Sequence, residues 1–157
     1  GGPIEVGTAA TYGVTGQDGN DVMELDSTVN VTVNQNLITS GSSYTLSFLY
    51  AARQGVAATS DTFSVYWNNS LVGTFNPNST VMTLASILVA GTGNDTLSFV
   101  GTGTSDSYGA LIDNVQLNLI PASTSVPEPS TWMAGMLLVL PFGIHGLRAL
   151  RMRQQRA

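Results

Sequence analysis

Two carboxylates at short spacing, Glu24 and Asp26, are the first residues whose types could carry out chemistry. Side chains two apart on a strand point to the same face, and a glycosidase needs two carboxylates about 5 to 10 Å apart. Two acids on the solvent face of a strand are the commoner explanation. A polysaccharide-acting enzyme that uses Glu24 and Asp26 is therefore kept as an alternative function.

Most of the chain lacks the residue types that nucleophilic catalysis needs. The sequence contains no cysteine, and its one histidine is His145 near the C-terminus. Ser-His-Asp and Cys-His arrangements need a base beside the nucleophile. We therefore expect residues 1–120 to be non-enzymatic, with no thiolate chemistry and no disulfide.

Aromatic side chains offer a different kind of site, because sugars bind to aromatic faces flanked by hydrogen-bonding groups. Trp67 and Tyr50 share the parity of core residues on their strands, so we predict that both pack inside. Tyr66 has the opposite parity, and Tyr108 lies in a polar Ser-Asp-Ser-Tyr-Gly segment. Tyr66, Tyr108 and the donor Arg53 are the predicted ligand-binding residues.

Strands must position these side chains, because apolar and polar residues alternate through most of the chain. Turn-forming segments rich in Gly, Asn, Ser and Pro separate these runs, and no helical period occurs before Thr131. Asn68-Asn69 predicts a tight hairpin, since asparagine tolerates positive φ. The fold class is therefore an antiparallel β-sandwich or barrel. The alternating residues are Val29, Val31, Val33; Tyr44, Leu46, Phe48, Tyr50; Phe63, Val65, Trp67; Leu97, Phe99; and Leu111, Val115, Leu117, Leu119.

Four segments in this order resemble the galactose-binding-like jelly roll of bacterial "choice-of-anchor" surface proteins and of related plant cell-wall domains. They are Gly-Asn-Asp-Val-Met-Glu-Leu-Asp at 19–26, Tyr-Thr-Leu-Ser-Phe-Leu-Tyr-Ala-Ala-Arg at 44–53, Phe-Ser-Val-Tyr-Trp-Asn-Asn at 63–69 and Gly-Ala-Leu-Ile-Asp-Asn-Val-Gln-Leu at 109–117. The resemblance implies a jelly-roll β-sandwich over residues 1–120. In similar carbohydrate-binding modules an aspartate in the matching last-strand motif helps to hold a structural calcium, which implies that role for Asp113; Asp61 and Asp106 are expected to converge with it.

Charge argues against nucleic acid as a partner. Residues 1–130 contain all ten acidic side chains and only Arg53 as a base, a formal charge of −9, whereas the C-terminal tail carries +4. An acidic domain without a basic patch repels phosphate backbones.

The C-terminal segment differs from the rest in composition. Residues 121–131 form a proline-rich linker, in which Pro127 and Pro129 favour an extended backbone. An uncharged apolar stretch from Trp132 to Leu147 follows, about 24 Å long as a helix. With the residues up to 150 it reaches about 28 Å, close to a bilayer core of about 30 Å. We therefore predict a transmembrane helix over 132–150 and, by the positive-inside rule, a basic cytoplasmic tail over 151–157.

This tail resembles the PEP-CTERM sorting signal of Gram-negative bacteria. The resemblance rests on a Pro-Glu-Pro motif, an apolar segment and an arginine cluster in that order: Val126, Pro127, Glu128, Pro129, Ser130, then Arg148, Arg151, Arg153. It implies processing by a membrane exosortase, with the protein in the inner membrane beforehand and on the cell surface or in an exopolysaccharide matrix afterwards.

The start of the chain has neither the charged beginning nor the apolar region of a signal peptide, so we expect an N-terminally truncated or processed sequence. The leading functional prediction is an exported surface or matrix protein whose β-sandwich binds polysaccharide. A plain membrane-anchored spacer without a ligand remains a further alternative.

Overall fold

Nine strands and one short helix follow one another along residues 2–122, which are the residues that the computed structural model describes. Their bounds are β1 (Glu5–Thr8), α1 (Ala9–Tyr12), β2 (Asp21–Glu24), β3 (Thr32–Ile38), β4 (Ser43–Ala51), β5 (Phe63–Trp67), β6 (Ser70–Phe75), β7 (Thr83–Ala90), β8 (Asn94–Gly101) and β9 (Leu111–Leu119).

The strands form two sheets, one in the order β1-β2-β9-β4-β7 and one in the order β3-β8-β5-β6. Every pairing between neighbouring strands is antiparallel. The central strand β9, the last of the nine, lies between β2 and β4, so the sheet joins the first and last strands of residues 2–122. The predicted all-β antiparallel sandwich is confirmed.

The main core lies between the two sheets and consists of side chains that the strands direct inward. Phe48 of β4 and Phe63 of β5 are fully buried. The Phe48 ring lies 5.1 Å from that of Phe99 and 5.3 Å from that of Phe75, both in edge-to-face geometry. Trp67 is also buried, and its Nε1 donates a hydrogen bond to the Ala90 carbonyl at 2.8 Å. This confirms the prediction that Trp67 packs in the core.

A second, smaller core covers one end of the outer face of the five-stranded sheet. Leu111 and Ile112 are neighbours in β9 and point to opposite faces, Ile112 into the main core and Leu111 into this second one. The segment after β1 supplies the cover, with Tyr12 as its largest side chain. The members of this second core are Ala9, Tyr12, Val14, Val22, Ala51, Met82 and Leu111.

The helix α1 departs from the sequence prediction, which had no helix before Thr131. Thr8 caps its N-terminus by accepting a hydrogen bond from the Thr11 backbone N–H, and Gly13 ends it with φ of 68°. Four residues are too few to show a helical period, so the alternation rule could not detect them.

The predicted hairpin at Asn68-Asn69 is confirmed, with φ of 51° and 63° at the two positions. Two successive positive φ values make a type I′ turn, whose twist matches that of the paired strands. Asn68 also contacts the neighbouring strand: its Nδ2 donates to Asp95 Oδ1 at 2.5 Å, and its Oδ1 accepts from the Thr96 N–H at 2.8 Å. Burial raises the pKa of Asp95, but hydrogen bonds from Asn68, Thr39 and Thr92 outweigh it and hold that pKa well below its usual range.

Within residues 2–122 no helix has the length and apolar character needed to cross a membrane. The predicted membrane span 132–150 and tail 151–157 lie outside the described residues. So do the linker from residue 123 onward and all the sorting-signal residues.

Candidate functional site

Arg53 and Glu24 form a tight ion pair at the end of the sandwich that α1 covers. Glu24 ends β2 opposite Leu111, which places it on the face of the second core, and Arg53 follows β4 by two residues. Arg53 Nη1 lies 2.6 Å from Glu24 Oε1 and 2.8 Å from Oε2. The Glu24 side chain is completely buried, whereas that of Arg53 keeps 21% of its surface exposed. The carboxylate of the pair therefore lies in the interior, and its guanidinium reaches the surface.

Glu24 and Asp26 both hold the loop between β8 and β9, residues 102–110. Glu24 Oε1 accepts a hydrogen bond from the Gly109 N–H at 2.9 Å, and Asp26 Oδ2 accepts one from the Asp106 N–H at 3.1 Å. The loop approaches so closely that a Cβ on Gly109 would lie 2.7 Å from the Asp26 backbone nitrogen. Only glycine fits there.

The prediction that Glu24 and Asp26 share a face of one strand is wrong. β2 ends at Glu24, and Asp26 lies beyond it in an isolated bridge to Asn30. Both side chains are fully buried. A carboxylate pair that no polysaccharide can reach does not support the alternative of an enzyme.

Burial sets the ionisation of this region. Desolvation raises the pKa of Glu24 against the opposing hydrogen bonds from Arg53 and Gly109. Desolvation also raises the pKa of Asp61 to about 6, because one hydrogen bond from the Arg53 N–H does not compensate for burial and for the charges of Glu24 and Asp106. The pKa of the Tyr12 hydroxyl is raised by burial and by its 2.9 Å hydrogen bond to Glu5. Burial therefore raises the pKa of three groups at this end of the sandwich, Tyr12, Glu24 and Asp61.

A pocket of about 390 Å³ opens beside the guanidinium of Arg53. Tyr12 and Tyr108 lie against that group, with ring centroids 5.0 and 4.7 Å from Arg53 Cζ. Tyr12 is buried, but Tyr108 leaves 44% of its surface exposed at the mouth. This Arg53 pocket is lined by Thr11, Tyr12, Arg53, Gln54, Gly55, Val56, Ala57, Asp106 and Tyr108.

The structure brings together two of the three residues predicted to bind a ligand. Arg53 and Tyr108 are in contact, whereas Tyr66 is partly exposed on β5, on the face opposite Phe63, Val65 and Trp67, and does not line the Arg53 pocket. The sequence analysis missed Tyr12 and Gln54. Nothing in the sequence marks them, because a four-residue helix and an irregular loop have no period.

Asp113 was predicted to help hold a structural calcium. Its Oδ2 accepts a hydrogen bond from the Asp18 N–H at 2.6 Å, and its Oδ1 accepts one from the Asn114 N–H at 2.7 Å. Asp61 and Asp106 bond instead to Arg53 and Ser60. Across residues 2–122 no three carboxylate or imidazole side chains group as metal ligands. These residues do not fit the predicted site, and calcium binding stays a prediction.

A second cavity, of about 310 Å³, lies between the sheets, where β2 and β9 face β3. Val33, Leu37 and Leu117 are typical of its lining, and Gln35 and Gln116 are its polar side chains. It lacks aromatic faces except that of the buried Phe99. The Arg53 pocket is therefore the better candidate for a polar ligand.

Comparison of sequences gives two toxin relatives and no protein-family model. The chain is 32% identical over 108 residues to the multifunctional-autoprocessing repeats-in-toxin of Vibrio vulnificus, and 31% identical over 110 residues to that of Vibrio cholerae. These alignments cover 66% and 68% of the chain but only 2% of each toxin. The match thus concerns one small region of very long proteins.

Comparison of structures identifies the fold. A family 35 carbohydrate-binding module from an environmental isolate aligns with a TM-score of 0.50 and 16% identity, over 71% of this chain and 84% of that one. CBM35 from Paenibacillus barcinonensis aligns with a TM-score of 0.50 and 23% identity, over 76% and 89%. The GH26-CBM35 β-(1,4)-mannanase of Podospora anserina aligns with 0.51 and 21%, over 78% and 26%. These likenesses show a jelly-roll β-sandwich.

Proposed function

We propose that the β-sandwich is a non-catalytic module that binds polysaccharide in the Arg53 pocket. The observation that carries the proposal is the half-exposed Tyr108 ring, which is fixed against Arg53 at the mouth of a pocket large enough for a sugar unit. The structural similarity to family 35 carbohydrate-binding modules supports the same assignment.

The pocket has the two properties that sugar binding requires. Tyr108 presents an aromatic surface, and Thr11 and Gln54 supply side-chain donors and acceptors at the same opening. Its groups are also held in place before a ligand enters, since Arg53 is fixed by Glu24 and the Tyr108 loop is fixed by Glu24 and Asp26. Side chains that are already ordered lose little entropy when they bind.

The test compares two tyrosine variants of the full-length chain. Tyr108→Ala removes the exposed ring of the pocket, and we expect it to weaken retention on galactomannan at least tenfold in affinity electrophoresis. Tyr66→Ala is the matched control, because it removes the same side chain from the outer face of the other sheet. Circular dichroism checks that both variants fold. Equal retention of Tyr108→Ala and the unchanged chain would refute the site.

We also propose that residues 123–157 include an exosortase-type sorting signal that directs the module through the inner membrane to the cell surface or matrix. The support is the order of the Pro-Glu-Pro motif, apolar segment and arginine cluster in the sequence. The protein is expressed with an export signal in cells with and without an active exosortase. Loss of about 30 C-terminal residues, together with release from the inner membrane in the exosortase strain alone, is expected. An intact chain in both strains would contradict the signal.

A further inference from the structure

The Arg53 pocket contains a cation that is already neutralised. Arg53 is the only lysine or arginine among residues 1–122. Its Nη1 contacts both oxygens of Glu24 at 2.6 and 2.8 Å, and Glu24 is completely buried, so its charge cannot be redirected towards solvent. A bound carboxylate or sulfate would have to compete with this partner.

The guanidinium of Arg53 also lies over two tyrosine rings. Tyr12 and Tyr108 lie 5.0 and 4.7 Å from Arg53 Cζ. Only 21% of the Arg53 side chain remains exposed. Arg53 is therefore held as part of the pocket wall, with its charge paired to Glu24 and its guanidinium against Tyr108.

A negative charge lines the same pocket. Asp106 contributes to the wall, and its Oδ2 accepts a hydrogen bond from the Ser60 hydroxyl at 2.8 Å. Residues 2–122 contain nine acidic residues against this one arginine, a formal charge of −8. An acidic sugar that entered the pocket would meet Asp106 and an arginine whose charge is already paired with Glu24, and like charges brought together at an interface are strongly disfavoured.

We propose that the Arg53 pocket selects neutral over acidic polysaccharides and that Asp106 is the residue that excludes the acidic ones. This inference rests on the proposed function and adds the class of ligand to it. Asp106 acts through its charge at the wall of the pocket, whereas Tyr108 supplies the contact surface for either class of sugar.

The experiment measures retention of the full-length chain on neutral galactomannan and on polygalacturonate, at neutral pH and low salt. The unchanged chain should be retained by galactomannan and at least tenfold less by polygalacturonate. Asp106→Asn keeps an oxygen that can accept from Ser60 and keeps the backbone N–H that donates to Asp26. It should raise the ratio of polygalacturonate to galactomannan retention about tenfold or more. Added salt should reduce this difference between the variant and the unchanged chain, because salt screens the repulsion by Asp106.

Asp21→Asn is the matched control, because it removes one negative charge at an exposed position that does not line the pocket. An equal change in the ratio with Asp21→Asn would show an effect of net charge and overturn the role of Asp106. Equal retention of the unchanged chain on both polymers would overturn the selectivity while leaving polysaccharide binding intact. Retention on neither polymer would overturn the proposed function and this inference together.

Discussion

At the scale of single residues, the pairing of Arg53 with Glu24 fixes the geometry of the pocket during folding. A free arginine side chain carries about 2 kcal/mol of rotamer entropy, which a ligand would otherwise have to overcome. Here the buried carboxylate and the two tyrosine rings have already restricted it. The pocket can therefore be rigid although it is formed by a short helix and two loops.

The raised pKa of Asp61 makes the free energy of unfolding depend on pH. Its pKa is raised from 3.8 to about 6 in the folded protein, so the folded state holds this proton more tightly than the unfolded state. The contribution of Asp61 to the free energy of unfolding is therefore present at about pH 4 and is lost as the pH rises to about 7. Relative to Asp61→Asn, which does not titrate, the unchanged chain should lose up to about 3 kcal/mol of unfolding free energy over that range.

Urea unfolding at several pH values measures this difference directly. The comparison with Asp61→Asn cancels the titration of the other acids, provided that both chains unfold in two states. Parallel stability curves for the two chains between about pH 4 and pH 7 would show that Asp61 keeps an ordinary pKa.

The sequence identified only part of the candidate site for a reason that appears at the residue scale. Tyr108 could be selected because it is an aromatic residue in a polar segment. Arg53 could be selected because it is the one basic residue before the C-terminal tail. That Glu24 neutralises Arg53 could not be predicted, because these residues are 29 positions apart and meet only when β2 and β4 both flank β9. The two-residue spacing of Glu24 and Asp26 predicted that both point to one face of a strand. That prediction is wrong because β2 ends at Glu24.

At the scale of elements, the hairpin between β5 and β6 provides a prediction with an internal control. Asn68 and Asn69 both have positive φ, so glycine is compatible with the backbone at either position. Asn68 makes side-chain hydrogen bonds to Asp95 and Thr96. We expect Asn68→Gly to lower the unfolding free energy by about 2 kcal/mol and Asn69→Gly to change it by less than about 0.5 kcal/mol.

Chemical denaturation of the two variants distinguishes the contribution of the side chain from that of the turn. Equal losses in both variants would mean that backbone entropy dominates, since glycine increases the freedom of the unfolded chain at each position alike.

Strands were predictable because period-two alternation over five or more residues is a strong local signal, as in β4 and β5. The predicted alternation of β9 is wrong, since Leu111 packs in the second core and Leu117 against the main core. The pairing of β9 with β4 shifts register between Ser47 and Leu49, which moves the later residues to the other face. The short edge strand β1 and the helix α1 carry too few residues to show a period. Val29 and Val31 belong to the alternating run but precede β3, which begins at Thr32. Val31 is buried as the pattern indicated, whereas Val29 is exposed, because the alternation does not continue beyond the start of the strand.

At the scale of the whole molecule, excess negative charge is the dominant electrostatic feature. Residues 2–122 carry a formal charge of −8, and their ion pair between Arg53 and Glu24 is buried, where salt screens it little. Raising NaCl from about 10 to 200 mM should therefore weaken repulsion more than attraction, and should increase the unfolding free energy at neutral pH by about 1 kcal/mol.

The double variant Asp18→Asn/Asp21→Asn removes two exposed negative charges and should show a smaller increase with salt. Urea unfolding of the two full-length chains at each salt concentration provides the measurement. A stability that stays constant or falls with added NaCl would contradict dominance of repulsion in the folded state.

The loop of residues 102–110 is attached to the sandwich through its main chain. Glu24 and Asp26 accept hydrogen bonds from the backbone N–H groups of Gly109 and Asp106, which every residue except proline provides. Gly103 and Gly109 cannot change, because a Cβ would overlap the Ser60 carbonyl oxygen or lie 2.7 Å from the Asp26 nitrogen. Elsewhere in this loop, substitutions other than proline can alter the wall of the pocket and leave both anchors intact. Such an arrangement favours evolvability: related chains can acquire new ligand preferences by point mutation in one loop while they inherit the scaffold unchanged.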